Sequence, residues 1–383
     1  MKNCVIVSAV RTAIGSFNGS LASTSAIDLG ATVIKAAIER AKIDSQHVDE
    51  VIMGNVLQAG LGQNPARQAL LKSGLAETVC GFTVNKVCGS GLKSVALAAQ
   101  AIQAGQAQSI VAGGMENMSL APYLLDAKAR SGYRLGDGQV YDVILRDGLM
   151  CATHGYHMGI TAENVAKEYG ITREMQDRFA VESHRRAEKA WAEGKYDQPI
   201  VPILVRQKKQ DVVFDHAETY IKDAQYENFA KLKPISMPDG GTVTAGNASP
   251  CNDGSAVVMM TTPEKAAQLG LKPLARYVTA VSTALDPAIM GYAPVSAIEK
   301  LEKKTGISRK DVGLFELNEA FAAQAELVNV NGGAIALGHA VGCTGCRISM
   351  TLIREMARRN VRYGVASLCI GGGQAMAMMF ELC

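Results

Sequence analysis

Apolar runs and helix-periodic stretches alternate along the first third of the chain. Runs that predict strands lie at residues 4–9, 51–56, 82–84 and 109–112. Apolar positions at helical spacing fill the intervals, and Ser25 with Asp28 forms a capping box at the start of one such helix. This alternation predicts an α/β fold with a mostly parallel sheet and helices on both of its faces.

The pattern changes between residues 114 and 246, where charge rises and strands become scarce. Polar helical stretches lie there at residues 161–168 and 173–193. Strand–helix alternation then returns from residue 262 to the end. We therefore predict two similar α/β halves and an inserted region between them. The predicted division is an N-terminal half over residues 1–118, to which residues 247–262 return, an insert over 119–246, and a C-terminal half over 263–383.

Composition limits the class of protein. A length of 383 residues favours two or three domains, and 48% hydrophobic with 20% charged residues is typical of a globular protein. The formal net charge of +3 argues against a nucleic-acid-coating protein, although local basic patches for a phosphorylated ligand are compatible with it. No stretch approaches the ~18 apolar residues that a membrane span needs, so we predict no membrane association.

Nine cysteines, an odd number, accompany a sequence that opens directly on a strand. With no secretory signal in view, we expect free thiols and a cytoplasmic location. Cys343 and Cys346 form a Cys-x-x-Cys pair, but a single pair without a nearby histidine cluster is weak evidence for zinc. We therefore predict no metal site.

Cys88 lies between a predicted strand and a helix over residues 92–104 that is apolar on all sides, as expected of a buried helix. Backbone N–H groups at a helix N-terminus are expected to lower the pKa of such a thiol. Gly89 and Gly91 leave room for a substrate carbonyl to approach the sulfur. A small buried hydrophobe is the alternative interpretation, and these residues alone leave both open.

Four further stretches combine polar side chains with strand ends or turns. Asn318 follows an apolar run and could cap a helix, and His339 lies in a glycine-rich turn after a predicted apolar strand. Cys369 precedes three glycines whose N–H groups could face an anion. Only ten residues follow Gly373, which excludes a dinucleotide-binding βαβ unit. The fourth stretch, which ends at Ser249, could be only a turn.

Together these stretches resemble the motifs of the thiolase family, in the family's order and from end to end. The motifs are Asn-Lys-Val-Cys-Gly-Ser-Gly at 85–91, Gly-Gly-Met-Glu-Asn-Met-Ser at 113–119, Tyr-His-Met-Gly at 156–159, Gly-Asn-Ala-Ser at 246–249, Asn-Glu-Ala-Phe at 318–321, Gly-Gly-Ala-Ile-Ala-Leu-Gly-His at 332–339 and Cys-Ile-Gly-Gly-Gly-Gln at 369–374. Up to about residue 175 the chain is most similar to bacterial short-chain acetyl-CoA acetyltransferases of that family. The resemblance implies a layered α-β-α-β-α fold of two similar halves with an inserted loop domain.

The resemblance also implies a mechanism. Cys88 would attack an acyl-CoA thioester, His339 would take the thiol proton, and Cys369 would remove the α-proton of a second acetyl-CoA. One oxyanion hole would use the N–H groups of Cys88 and Gly371, and the other would use His339 with a water held by Asn318. The implied reaction is the reversible condensation of two acetyl-CoA to acetoacetyl-CoA and CoA, without a cofactor.

Coenzyme A would lie across the insert. The resemblance places Ser249 against pantetheine and His157 and Met158 at the acyl end of the pocket. Lys222 stands where family members have an arginine near the adenine phosphates. The family's usual assembly implies a homodimer or homotetramer, with residues 123–147 as the candidate tetramer contact.

The chain departs from the family pattern in two places near the predicted site. Ala340 replaces the usual proline after His339. Between Gln324 and Val328 the chain is shorter than its relatives by roughly a dozen residues, or about three helical turns. We expect that the helix anchoring Asn318 is cut short, that the fold is retained and that activity is reduced.

Three alternatives remain open. A broader-chain 3-ketoacyl-CoA thiolase is favoured by Gly-Cys-Thr-Gly at 342–345. Decarboxylating ketosynthase chemistry is disfavoured, because Asn318 stands where those relatives have a second histidine. A non-catalytic scaffold that binds acyl-CoA is favoured by the shortened segment and disfavoured by the presence of all four reacting positions.

Overall fold

The computed structural model describes residues 3–206, 210–322 and 328–383. Residues 323–327, which include Gln324 and the end of the predicted shortened helix, lie outside these ranges. The described part of that region, residues 318–322, forms no helix.

The first part of the chain alternates strands and helices, as predicted. Its elements are β1 (Val5–Arg11), β2 (Gly15–Ser16), α1 (Ala26–Ala41), β3 (Glu50–Gly54), α2 (Pro65–Lys72), β4 (Cys80–Val84), α3 (Ser90–Gln103) and β5 (Ser109–Asn117). The Ser25 hydroxyl accepts the Asp28 N–H at 3.1 Å, so the predicted cap of α1 is confirmed.

The middle of the chain has longer helices and only short strands. Its elements are β6 (Tyr123–Leu125), α4 (Lys128–Ser131), β7 (Val140–Asp142), α5 (Met158–Tyr169), α6 (Arg173–Ala192), β8 (Ile203–Arg206), β9 (Asp211–Phe214) and α7 (Tyr226–Ala230). The strands pair only with each other, β6 with β7 and β8 with β9, as two antiparallel hairpins outside the main sheet.

The last part returns to the main sheet. Its elements are β10 (Asn252–Thr261), α8 (Pro263–Gln268), β11 (Ala275–Ala284), α9 (Ala293–Thr305), β12 (Leu314–Leu317), α10 (Ala334–Leu337), α11 (Thr344–Arg359), β13 (Tyr363–Ile370) and β14 (Gln374–Leu382). The apolar run before His339, predicted as a strand, is the one-turn helix α10. A four-residue apolar run carries no period that separates the two structures.

The main sheet has the strand order β12-β13-β14-β11-β1-β10-β5-β3-β4, with β2 paired to β10. Among the described strands of this sheet, only the pairs β12/β13, β3/β4 and β3/β5 are parallel. The prediction of a mostly parallel sheet is therefore wrong. Strand β10 lies antiparallel to β1 and β5, and strand β14 lies antiparallel to β11 and β13. Parallel neighbours need a crossover connection, usually a helix, and neither β10 nor β14 is joined to its neighbours in that way.

Each half repeats the same pairing scheme. In the N-terminal half β1 pairs with β10, β10 with β5 and β5 with β3; in the C-terminal half β11 pairs with β14, β14 with β13 and β13 with β12. The halves join where Val5 of β1 faces Arg276 of β11. The predicted pair of similar halves is thus confirmed by topology.

Helices fill three layers around the two halves of the sheet. Helices α1 and α2 pack on the outer face of the N-terminal half, and α9 packs on the outer face of the C-terminal half. Helices α3 and α11 lie between the halves and touch strands of both. This central layer explains why α3 is apolar on all sides, and it places the N-termini of α3 and α11 close to each other.

Candidate active site

Cys88 lies in the tight turn between β4 and α3. The preceding residue, Val87, has a φ of 47°, which is a strained value for a β-branched side chain. The Ser90 hydroxyl holds the turn by accepting the Lys86 N–H at 2.9 Å and donating to the Val87 carbonyl at 2.6 Å. The fold therefore fixes where the sulfur points before any ligand binds.

The thiol of Cys88 is protonated in the resting protein. Cys88 is half-buried by surface area, and desolvation of its thiol raises the pKa to about 11, which outweighs the hydrogen bonds from the backbone N–H groups of Gly371 and of Cys88 itself. The nearby Glu116 carboxylate raises the pKa further. The sequence-based expectation of a lowered pKa is wrong, because the helix terminus is visible in the sequence but the depth of burial is not. Reaction at this sulfur consequently needs a base.

Hydrogen bonds hold the imidazole of His339 in place and favour one tautomer. Its backbone N–H donates to Asn252 Oδ1 at 2.8 Å, and Nδ1 lies 2.8 Å from Thr344 Oγ1. We assign the Nδ1–H tautomer, because it lets the Thr344 hydroxyl accept from Nδ1–H and donate its single hydrogen to the Ala340 carbonyl, 2.9 Å away. Nε2 is left with a lone pair, and within the described ranges it has no hydrogen-bond partner.

His339 is neutral at physiological pH. Burial and, to a lesser degree, the nearby guanidinium of Arg347 lower its pKa to about 3. A buried neutral imidazole with a free Nε2 lone pair is suited to accept a proton from a neighbouring donor.

Cys369 and Asn318 line one small cavity. Burial and, to a lesser degree, the charge of an ionised Cys88 raise the pKa of Cys369 to about 12. Both polar atoms of the Asn318 side chain are buried without a hydrogen-bond partner among the described residues. A cavity of about 10 Å³ between Asn318 and Cys369 has room for one water.

A cavity of about 300 Å³ opens above the Cys88 thiol. Its wall is mostly apolar, as is typical of a small-molecule site with few polar groups. It is lined by Cys88, Met118, Gly148, Leu149, His157, Met158, Ile235, Ala245, Ala248, Ser249, Pro250, Cys251, Met290, Ala320, Phe321, His339, Val341 and Gly371.

Three of the predicted coenzyme-binding residues line this cavity and one does not. His157 caps α5 by accepting the Gly159 N–H at 3.1 Å, which leaves Nε2 as the protonated nitrogen, and Met158 follows it on α5. The Ser249 N–H and hydroxyl both donate to the Ala320 carbonyl, at 3.0 and 3.2 Å. Lys222 is exposed in a turn and is not part of the lining.

The structure adds residues that the sequence analysis did not single out. Thr344 contacts His339 directly, and Cys251, Met290 and Phe321 line the cavity. Glu116 lies in a motif already noted, but nothing local shows what its carboxylate contacts. Cys343 and Cys346 are both buried in the core between the halves.

Residues 3–206, 210–322 and 328–383 contain no group of three or more His, Cys, Asp or Glu side chains placed to hold a metal ion. In the same ranges no helix combines the length and apolarity that crossing a membrane requires.

Family models for the thiolase N-terminal domain and the thiolase C-terminal domain match residues 4–264 and 271–382. The chain belongs to the thiolase family. It is 68% identical to the acetyl-CoA acetyltransferase of Escherichia coli K12 over 100% of this chain and 99% of that protein. It is 52% identical to the acetyl-CoA acetyltransferase of Cupriavidus necator over the full length of both. The crystal structure of the Bacillus anthracis acetyl-CoA acetyltransferase matches with a TM-score of 0.97 at 43% identity, covering 100% of this chain and 99% of that one.

The alignment with the Escherichia coli relative spans 392 positions, although this chain has 383 residues. Some positions of that relative therefore have no counterpart in this chain. This agrees with a shortened interior segment, while its location between Gln324 and Val328 stays a prediction.

Proposed function

We propose that this chain is an acetyl-CoA C-acetyltransferase that condenses two acetyl-CoA molecules reversibly to acetoacetyl-CoA and CoA. The observation that carries the proposal is the thiol of Cys88 beneath the Gly371 N–H, in one cavity with the unpartnered Nε2 of His339. The names of two similar relatives, both acetyl-CoA acetyltransferases, support the same reaction. The chain itself supplies the nucleophile and both acid–base groups, so the proposed chemistry needs no cofactor.

In the first half-reaction His339 Nε2 takes the proton of Cys88, and the thiolate attacks the thioester carbonyl carbon. The oxyanion that forms accepts hydrogen bonds from the N–H groups of Cys88 and Gly371, which already point at the reacting sulfur. When the C–S bond to coenzyme A breaks, Cys369 donates its proton to the leaving thiolate. The enzyme is then acetylated on Cys88, with an imidazolium at 339 and a thiolate at 369.

In the second half-reaction the Cys369 thiolate removes an α-proton from the second acetyl-CoA. The enolate oxygen accepts a hydrogen bond from His339 Nε2–H and one from a water held by Asn318. The resting tautomer of His339 carries no hydrogen on Nε2, so this second oxyanion hole forms only after acylation. The enolate carbon attacks the acetyl group, and Cys88 leaves as a thiolate that recovers its proton from His339.

We propose that Ser249, His157 and Met158 contact the pantetheine and acyl parts of the substrate, because all three line the cavity. Lys222 would face the adenine phosphates farther out, where its exposed ammonium needs no desolvation. Reduced turnover, expected from Ala340 and the shortened segment, is part of the same proposal.

The test is a thiolysis assay with acetoacetyl-CoA and with a long-chain 3-ketoacyl-CoA, together with a Cys88→Ser variant. We expect wild-type turnover on acetoacetyl-CoA, below that of the Escherichia coli relative, and no turnover by the variant. Preference for the long-chain substrate would indicate the broader-chain thiolase instead. Binding of acetyl-CoA without turnover would indicate a non-catalytic scaffold.

We also propose a cytoplasmic homodimer or homotetramer. Hairpin β6–β7 supports the assembly, because Tyr123, Leu125 and Val140 on it are 69%, 61% and 62% exposed. Light scattering of the wild type and of a Tyr123→Ser, Leu125→Ser double variant tests this. A tetramer that the double variant reduces to dimers is the expected result, and a wild-type monomer would contradict it.

A further inference from the structure

The carboxylate of Glu116 lies buried where the two halves of the molecule meet behind the site. Glu116 is on β5 and has no exposed surface. Its Oε1 accepts Asn55 Nδ2 at 2.7 Å and the Leu57 N–H at 3.1 Å. Its Oε2 accepts the Val56 N–H at 3.0 Å and the Gly342 N–H at 2.8 Å. Three donors come from the loop after β3, and the fourth comes from the loop that carries His339.

The peptide group of Gly342 is fixed on both of its sides. Its N–H binds Glu116, and its carbonyl oxygen lies so close to β5 and α3 that a Cβ at Gly114 or Gly91 would meet it at 2.0 or 2.9 Å. A Cβ on Gly342 itself would meet Glu116 Oε2 at 2.6 Å. Ordinary Cβ contacts are longer than any of these distances, so the loop and its neighbours fit only in this arrangement.

The hydrogen bond between Gly342 and Glu116 helps to determine where the imidazole of His339 lies. His339 is tied at its own N–H to Asn252, and Gly342 is tied to Glu116 three residues later. Thr344, which receives the Nδ1 hydrogen, follows two residues after that. The segment that presents Nε2 is thus held at both ends by polar side chains from the half that carries Cys88.

We propose that Glu116 is a positioning residue for the acyl-transfer reaction. Its carboxylate ties the His339 loop to the N-terminal half and so sets the place of Nε2 relative to the Cys88 sulfur. The inference rests on the proposed function, because it assigns Glu116 a role in the same proton transfer. Glu116 does not touch substrate and takes no proton in the reaction.

Replacement by glutamine separates this role from a merely structural one. Glutamine keeps the shape of the side chain, but its NH2 group turns a donor toward two N–H groups that had an acceptor. Burial raises the pKa of Glu116 to about 7, so above that pH the group carries a negative charge that raises the pKa of the Cys88 thiol, and the substitution removes this charge. Glu116→Gln therefore has two opposite effects: the thiol ionises more easily while its base is displaced.

The experiment measures steady-state thiolysis and the pH dependence of Cys88 alkylation by iodoacetamide in wild type, Glu116→Gln and Glu355→Gln. Glu355 is the matched control, a buried carboxylate on α11 that accepts Asn331 Nδ2 at 3.0 Å and does not line the cavity. For Glu116→Gln we expect kcat to fall by about 10- to 100-fold, as for a misplacement on the order of 1 Å, while KM changes less than about threefold. The alkylation profile should shift to lower pH. The control should lose thermal stability and keep both kcat and the alkylation profile.

Unchanged kcat in Glu116→Gln, or the same losses in the control, would overturn the inference. If Glu116→Gln does not fold, Glu116→Asp provides the measurement, because it keeps the charge but withdraws the carboxylate from Gly342. We expect that variant to lose kcat without a shift of the alkylation profile, and wild-type kcat would overturn the inference. A wild-type protein that neither turns over acetoacetyl-CoA nor becomes acetylated would instead refute the proposed function.

Discussion

Replacing Thr344 by valine tests how the base is kept in its reactive tautomer. The substitution keeps the branched shape at the start of α11 and removes the oxygen that accepts His339 Nδ1–H at 2.8 Å. Both partners are buried, so no bulk solvent replaces the lost acceptor. The imidazole must then leave Nδ1–H unpaired or move that hydrogen to Nε2. In the second case Nε2 no longer has the lone pair that accepts the Cys88 proton.

The magnitude follows from the cost of an unpaired buried donor, about 1–3 kcal/mol. Whether Nδ1–H stays unpaired or its hydrogen moves to Nε2, the reactive tautomer becomes less stable by about 1–3 kcal/mol. Since 1.36 kcal/mol corresponds to a tenfold change in rate, acetylation of Cys88 should slow by about 5- to 150-fold. Thr344→Ser keeps the hydroxyl and should remain within about threefold of wild type.

The assay is a rapid-quench reaction with acetyl-CoA, followed by mass spectrometry of the peptide that contains Cys88. Circular dichroism of each variant verifies that α11 is retained. Acetylation of Thr344→Val at the wild-type rate would refute the tautomer argument. Equal slowing in Thr344→Ser would refute it too, because it would assign the effect to packing and not to the hydroxyl.

Three other predictions follow from burial and close packing. Because burial places the pKa of Cys88 at about 11 and that of His339 at about 3, the rate of alkylation by iodoacetamide should rise about tenfold per pH unit across the neutral range; a plateau there would indicate a preformed ion pair. Gly114→Ala should lower Tm by on the order of 5 °C or more, since its Cβ would lie 2.0 Å from a carbonyl oxygen of the His339 loop. Gly148→Ala is the control: its Cβ would have its nearest contact at 3.6 Å, so Tm should remain nearly unchanged. Burial raises the pKa of Glu355, but hydrogen bonds from an amide and two guanidinium groups outweigh it and bring the pKa to about 2. The stability that this carboxylate adds above about pH 4.5 should therefore be lost as the pH falls toward 2. Glu355→Gln should not show this loss of stability in acid unfolding.

Much of the fold could be predicted because its signals are local. The cap of α1 depends on residues three apart, Ser25 and Asp28, and the strand–turn–helix around Cys88 occupies one short stretch. The direction of a strand is different, because it depends on which neighbours the strand pairs with. β10 and β14 lie antiparallel within sheets whose outer pairs are parallel, and no local pattern distinguishes them.

In the candidate site, too, some residues could be predicted from local sequence and others could not. Cys88, His339 and Cys369 could be selected from the sequence because each lies beside glycines in a motif. The role of Glu116 could not, because its donor on Gly342 is 226 residues away along the chain. The pKa of Cys88 was mispredicted for a related reason, since desolvation of the thiol is a property of the folded molecule and not of the local sequence.

The most direct test of the account is to locate the covalent intermediate. Wild-type protein is mixed with acetyl-CoA, quenched, digested and analysed by mass spectrometry, with a second sample exposed to free CoA before quenching. We predict one acetyl group, on Cys88, that free CoA removes. Protein that carries no acetyl group, or that carries it on Cys251 of the same cavity, would contradict the account.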